Sequence, residues 1–119
     1  MCEALLQPTI SILDKDPPRV HQINANSFQQ SAIVTVNGWQ YAALYTSKHG
    51  QQDSNACCIT LGRRKVRSLV HSVIESSAWE FISFEDYVQA VDDGHNTISM
   101  GVCTGDGTIQ ISFDHHCDR

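Results

Sequence analysis

The residues that most restrict how this chain folds are Asn37 and Gly38. They separate SAIVTV (Ser31 to Val36) from WQYAALYT (Trp39 to Thr46), two runs rich in β-branched and aromatic side chains. A two-residue type I′ turn needs positive φ at both central positions, which asparagine and glycine tolerate, and its twist matches that of the strands it joins. The sequence therefore predicts a β-hairpin here, and with it an antiparallel sheet.

More strands follow. After the polar loop Ser47 to Ala56, CCITLGRRKV (Cys57 to Val66) reads as a third strand, with Gly62 marking a bulge or a close approach. WEFISFEDY (Trp79 to Tyr87) reads as a fourth, with Trp79, Phe81 and Ser83 on one face and Ile82 and Phe84 on the other. Between them RSLVHSVIESSA (67 to 78) fits either a short amphipathic helix or a strand, because Leu69, Val70, Val73 and Ile74 suit both periods. It interrupts the strand series in either case. Before the hairpin, the DKDPPR stretch from Asp14 to Arg19 breaks any regular element, since consecutive prolines fix φ and remove two donors.

The expected fold is all-β: an antiparallel four-stranded blade plus a following hairpin, a partial β-propeller. Residues 1–26 form an irregular arm, 27–90 a first blade with an insertion at about 67–78, and 91–119 the start of a second blade. Blades commonly run about 40 to 50 residues and about four to eight close a propeller. This chain holds about one and a half. A piece of that size leaves a strand edge unpaired and an apolar face uncovered, which favours self-association.

Several function classes recede on composition. The formal charge of −5 gives no electrostatic reason to expect nucleic acid or an anionic membrane. There is no long apolar run, and the N-terminal MCEALLQPTISIL lacks the basic start of a secretory signal, which favours a cytosolic reading. The local basic cluster Arg63, Arg64, Lys65 and Arg67 reads first as an edge-protecting face, and otherwise as a seat for carboxylate or phosphate. The five cysteines, Cys2, Cys57, Cys58, Cys103 and Cys117, are odd in number. Adjacent Cys57 and Cys58 point to opposite faces of a strand, so a disulfide framework is not expected.

Chemistry concentrates at the C-terminal end. Ile98, Met100 and Val102 share one face of a predicted strand, Ile109, Ile111 and Phe113 share one face of the next, and Thr104-Gly105-Asp106-Gly107 supplies the turn. If Cys103 pairs with Thr108, an unbulged ladder sets Ile98 opposite Phe113 and His95 opposite His116. A single bulge would bring His115 there instead. Opposed imidazoles suit proton transfer or hydrogen bonding to a polar substrate near neutral pH. They also suit zinc, with His95, His116 and Cys117 as ligands and Cys103 a further candidate. His21, His49 and His71 have no convergent partners in the sequence and read as ordinary surface histidines.

The stretches NSFQQSAIVTVNGWQYAALYT (Asn26 to Thr46), LGRRKV (Leu61 to Val66) and FEDYVQAVDDGHNTISMGVCTGDGTIQISFDHH (Phe84 to His116) resemble the N-terminal part of fungal and bacterial BNR repeat-containing family members of the BNR-4 group. The pairing of DDGHN-TIS with DGTI-x-(I/L)-SFDHH is the most specific part. The segment from Thr104 to Thr108 is only a degenerate echo of a sialidase Asp box. The resemblance implies a seven-bladed propeller related to sialidase-like proteins and to lyases that cleave uronate-containing polysaccharides. It maps the cleft histidines of those lyases onto His95 and His116, with Asn96, His115 and Arg64 as substrate-binding candidates. The tyrosine and arginine such lyases draw from later blades have no counterpart before Arg119.

The leading expectation is thus an N-terminal fragment, inactive by itself, of a carbohydrate-active propeller acting on acidic polysaccharide or oligosaccharide by β-elimination, with a glycoside hydrolase as the other enzyme class. No cofactor is required by that chemistry. The alternatives are a non-catalytic carbohydrate-binding piece and a small zinc-binding module.

Overall fold

Asn37 and Gly38 both occupy the left-handed region, with φ of 50° and 76°, as the type I′ turn requires. The turn joins β1 (Ile33–Val36) to β2 (Trp39–Ser47), paired antiparallel from Val36 opposite Trp39 to Ile33 opposite Ala42. The structure is a computed structural model that describes residues 10–24, 31–51, 55–69, 72–75, 77–113 and 116. Among these residues every regular element is a strand.

The polar loop returns the chain as β3 (Cys57–Leu69), which lies antiparallel to β2 from Trp39 opposite Lys65 to Ser47 opposite Cys57. Beyond Lys65, β3 continues as one arm of a short hairpin with β4 (Ser72–Glu75). After a brief connection, β5 (Glu80–Gln89) also pairs with β3, from Glu80 opposite Arg63 to Phe84 opposite Ile59. The fourth strand of the expected meander is therefore preceded by an extra short strand along β3. Of the ambiguous segment 67–78, residues 67–69 and 72–75 are strand rather than helix: β3 offers four residues of backbone pairing, and Val73 and Ile74 are strand formers. Ser77 Oγ accepts the Lys65 N–H at 2.8 Å where the connection crosses.

Gly62 proves to be a close approach and not a bulge. A Cβ there would lie 2.7 Å from Phe81 Cε1 and 3.1 Å from Trp79 Cε3. The register of β3 against β5 shifts elsewhere, between Cys57 and Ile59, where four residues of β5 face one of β3.

Alternation along β2 and β3 separates two faces. Ala43, Tyr45, Cys57 and Ile59 turn to a core that also holds Ile98 and Met100 from the C-terminal hairpin and Ile23 from the arm, flanked by Val34, Leu61, Phe84, Ile109, Ile111 and Phe113. On the other face Thr46 Oγ1 and Ser83 Oγ each lie 2.7 Å from Thr60 Oγ1, a three-hydroxyl chain across the strands. Cys57 and Cys58, on opposite faces as expected, are both buried, and burial pushes the Cys58 thiol up from its ordinary pKa.

Arg63, Arg64 and Lys65 of the basic cluster are engaged by the protein's own groups. Arg63 binds Glu80 at 2.8 Å and stands 5.0 Å over the Trp39 ring, while Arg64 stands 4.7 Å over Trp79. Ile33, Phe81 and Ile82 remain exposed. Phe81 and Ile82 line an open groove together with Tyr41, Leu61, Arg63 and Ile109.

Candidate functional site

The site is built by the terminal hairpin, whose register the turn fixes. β6 (Ser99–Val102) and β7 (Ile109–Ser112) pair with Val102 opposite Ile109 and Ser99 opposite Ser112. Cys103 donates its N–H to the Thr108 carbonyl at 2.8 Å, and Gly107, at φ 77°, donates back to Cys103 at 3.0 Å. Asp106 Oδ1 accepts the Thr108 N–H at 2.9 Å, which holds the Asp106 carboxyl below its ordinary pKa. Each pair of this ladder has residue numbers that sum to 211, the register from which the sequence set His95 opposite His116. The two rings meet with centroids 4.9 Å apart and planes tilted by 48°.

A third residue joins them that sequence reasoning missed. Asp93 Oδ1 accepts both the backbone N–H of His95 at 2.9 Å and its Nδ1 at 2.7 Å, while Asp93 Oδ2 lies 2.6 Å from Nδ1 of His116. The available signal was an aspartate two residues before a histidine across a glycine, the spacing of a side chain that closes a turn on its own backbone. The His95 N–H first, then the His95 ring, with the His116 ring adding to them, holds the Asp93 carboxyl well below the usual carboxylate range. An ionised Asp93 only accepts hydrogen bonds, so each Nδ1 must carry a proton. In a neutral ring the lone pair then resides on Nε2. Both imidazoles are about half exposed, so solutes reach them.

Asn96 is fully enclosed. Its Oδ1 accepts the His116 backbone N–H at 2.9 Å and so ties the two sides of the hairpin's open end together. Its Nδ2 has no partner among the described residues. Enclosure leaves this amide serving the protein's own backbone.

Arg64 is held elsewhere. Asn37 Nδ2 donates to the Thr104 carbonyl at 3.1 Å, which sets the β1–β2 turn against the tip of the terminal hairpin. Arg64 lies opposite Gln40, near that turn, with its guanidinium on Gln40 Oε1 and Ser11 Oγ. The histidine pair is at the hairpin's other end. His115 and Cys117 lie outside the described residues, as does His71.

His21 corrects the expectation that it has no partner. Its Nδ1 lies 3.2 Å from Asp92 Oδ1, and Asp92 also accepts the backbone N–H groups of Val20 and His21, each at 3.0 Å. Although burial opposes it, these bonds hold the Asp92 carboxyl below its ordinary value. No sequence period could reveal a contact spanning some seventy residues.

Asp93, His95 and His116 each offer a metal-ligating atom within 4.8 Å of the others. The sequence profile that describes BNR repeat-containing family members matches residues 39–119. The chain belongs to this BNR repeat-containing family. No individual curated protein matches it. The region shared with the BNR repeat family begins at β2 and takes in Asp93, His95, Asn96 and His116. The arm and β1 precede it.

Proposed function

We propose that this BNR repeat chain forms part of a carbohydrate-active propeller, and that Asp93, His95 and His116 act on a uronate-containing polysaccharide by β-elimination in the complete protein. One observation carries the reading: a single ionised carboxylate holds two imidazoles side by side by their Nδ1 atoms. Elimination needs a base to take the C5 proton of the uronate. The C5–H electrons then form a C4–C5 double bond, the C4–O bond breaks, and an acid protonates the leaving oxygen. Nε2 of one neutral ring suits the first step and the imidazolium form of the other suits the last. Asp93 keeps both rings oriented, as the carboxylate of a hydrolytic triad orients its histidine. The uronate carboxylate also needs a cationic neighbour, which the resemblance to lyases assigns to later blades.

The test has two parts. Calorimetric titration of the chain with acidic oligosaccharides is expected to show saturable binding that Asp93→Asn weakens. In the complete propeller, ultraviolet absorbance of the unsaturated product is expected to fall by about 100-fold or more in His95→Asn and His116→Asn, the usual worth of general acid–base catalysis. Binding without any unsaturated product would replace the lyase reading with a carbohydrate-binding one.

A second reading, zinc binding, is favoured by the donor set of Asp93, His95 and His116. Stoichiometric zinc that survives dialysis and is lost in His116→Ala would support it.

A further inference from the structure

The arm ahead of the family-matched region makes more contacts with the base of the candidate site than an irregular leader has reason to make. The Arg19 guanidinium reaches three carbonyls. Its Nη1 bonds that of Val91, and its Nη2 bonds those of Gln89, at 2.7 Å, and Asn55. These hold the end of β5 and the residue before Asp92. One step on, the Asp92 carboxylate takes the N–H groups of Val20 and His21. Gln22 and His21 lie against Gly94, with the His21 Cβ 3.6 Å from where a Cβ on Gly94 would stand. Ile23 is then driven into the core, and Asn24 pairs by its amide with both the N–H and the carbonyl of Tyr45, each at 2.8 Å.

The arm thus grips residues 89 to 94 on one side. On the other side the same segment turns back on itself, with the Asp93 N–H on the Val91 carbonyl and the Asn96 N–H on the Asp93 carbonyl. Asp93 sits between these two sets of bonds. Its placement against both histidines follows from where residues 91 and 92 are held.

We propose that the arm is a structural part of the candidate site, and that Arg19 and Asp92 are positioning residues that set the turn presenting Asp93 and His95 to His116. The inference goes beyond the reading of the cluster's chemistry: it concerns how the cluster is placed, and it stands for a sugar site or a metal site alike. The bonds of Arg19 and Asp92 fall on the segment that leads into Asp93, so each acts through Asp93. A guanidinium is suited to the task because its planar fork serves several carbonyls at once, whereas a lysine ammonium is a compact point charge.

The experiment reads geometry rather than activity. In the 119-residue chain, ring centroids at 4.9 Å place His95 and His116 protons within range of a nuclear Overhauser cross-peak. That cross-peak is expected to vanish in Asp92→Asn, where the amide oxygen keeps the His21 N–H but the amide nitrogen opposes that of Val20, and in Arg19→Ala, and to return in part in Arg19→Lys. Ile23→Val, in the same arm, serves as the stability control: it lowers the urea midpoint and leaves the cross-peak in place. Retention of the cross-peak in both Asp92→Asn and Arg19→Ala would overturn the proposal. Asp92 is partly exposed, so its variant keeps the test decisive even if Arg19→Ala does not fold. Absence of cleavage or of zinc binding in the wild type would leave this result unchanged.

Discussion

Thr60→Val removes the middle member of the hydroxyl chain that crosses β2, β3 and β5 while keeping the shape of the side chain. Thr46 and Thr60 are 6% and 3% exposed, whereas Ser83 faces solvent. The two bonds lost, both at 2.7 Å, contribute about 1 kcal/mol each as neutral pairs. Ser83 recovers its bond from water. Thr46 does not, and a buried hydroxyl left without a partner costs about 1 to 3 kcal/mol. The sum is about 2 to 4 kcal/mol, a large share of the roughly 5 to 15 kcal/mol that a domain has in total. Thr46→Val alone should cost only about 1 kcal/mol, because Thr60 keeps Ser83. The double variant leaves no orphaned hydroxyl on Thr46, so it should be no less stable than Thr60→Val despite carrying a further substitution. Urea unfolding of the four proteins at one concentration, followed by circular dichroism, measures all three differences. A cost below about 0.5 kcal/mol for Thr60→Val, or strict additivity in the double variant, would refute the reasoning.

Three further predictions concern the turns and the site. The Asp93 carboxyl titrates below its unfolded value of about 3.9, so its contacts contribute stability above that pH and lose it as the pH falls through the folded value. The advantage of the wild type over Asp93→Asn in urea midpoint should therefore shrink below about pH 4, and an advantage that grows on acidification would contradict the assignment. Asn37→Gly and Asn37→Ala both lose the bond to the Thr104 carbonyl, but only alanine meets the left-handed φ of 50° with an unfavourable Cβ. Alanine should be the less stable of the two by about 1 to 2 kcal/mol in thermal unfolding. Gly62→Ala drives a Cβ into the Phe81 ring and should cost about 1 to 3 kcal/mol. Much of that loss should disappear when the comparison is repeated on a Phe81→Ala background.

The parts of this molecule that were legible in its sequence are those in which a local rule determines geometry. Asn37-Gly38 dictates a turn type, and the turn at 104–107 dictates a register, from which the meeting of His95 and His116 follows by counting along two strands. Segment 67–78 was not legible because serine, valine, isoleucine and leucine satisfy both a helical and a strand period, and only the backbone of β3 decides between them. The role of Asp93 was obscured by the abundance of aspartate at turns, where it usually does no more than cap its own backbone. Arg19, His21 and Asp92 were beyond reach for a different reason. Their contacts join an aperiodic arm to a turn about seventy residues away, and no pattern within either segment announces the other.

The hairpin formed by the end of β3 and by β4 extends past the point where β2 stops pairing, from Val66 opposite Glu75 to Leu69 opposite Ser72. Lengthening both of its strands equally moves its tip outward and leaves every pair below unchanged, including those that carry Ile59 and Leu61 to the core. The short connection between β4 and β5 can take up an unequal change. This hairpin is therefore a natural place to graft an affinity peptide or a fluorescent label, giving the chain a handle for immobilisation in a different hairpin from the one that leads to the histidine pair.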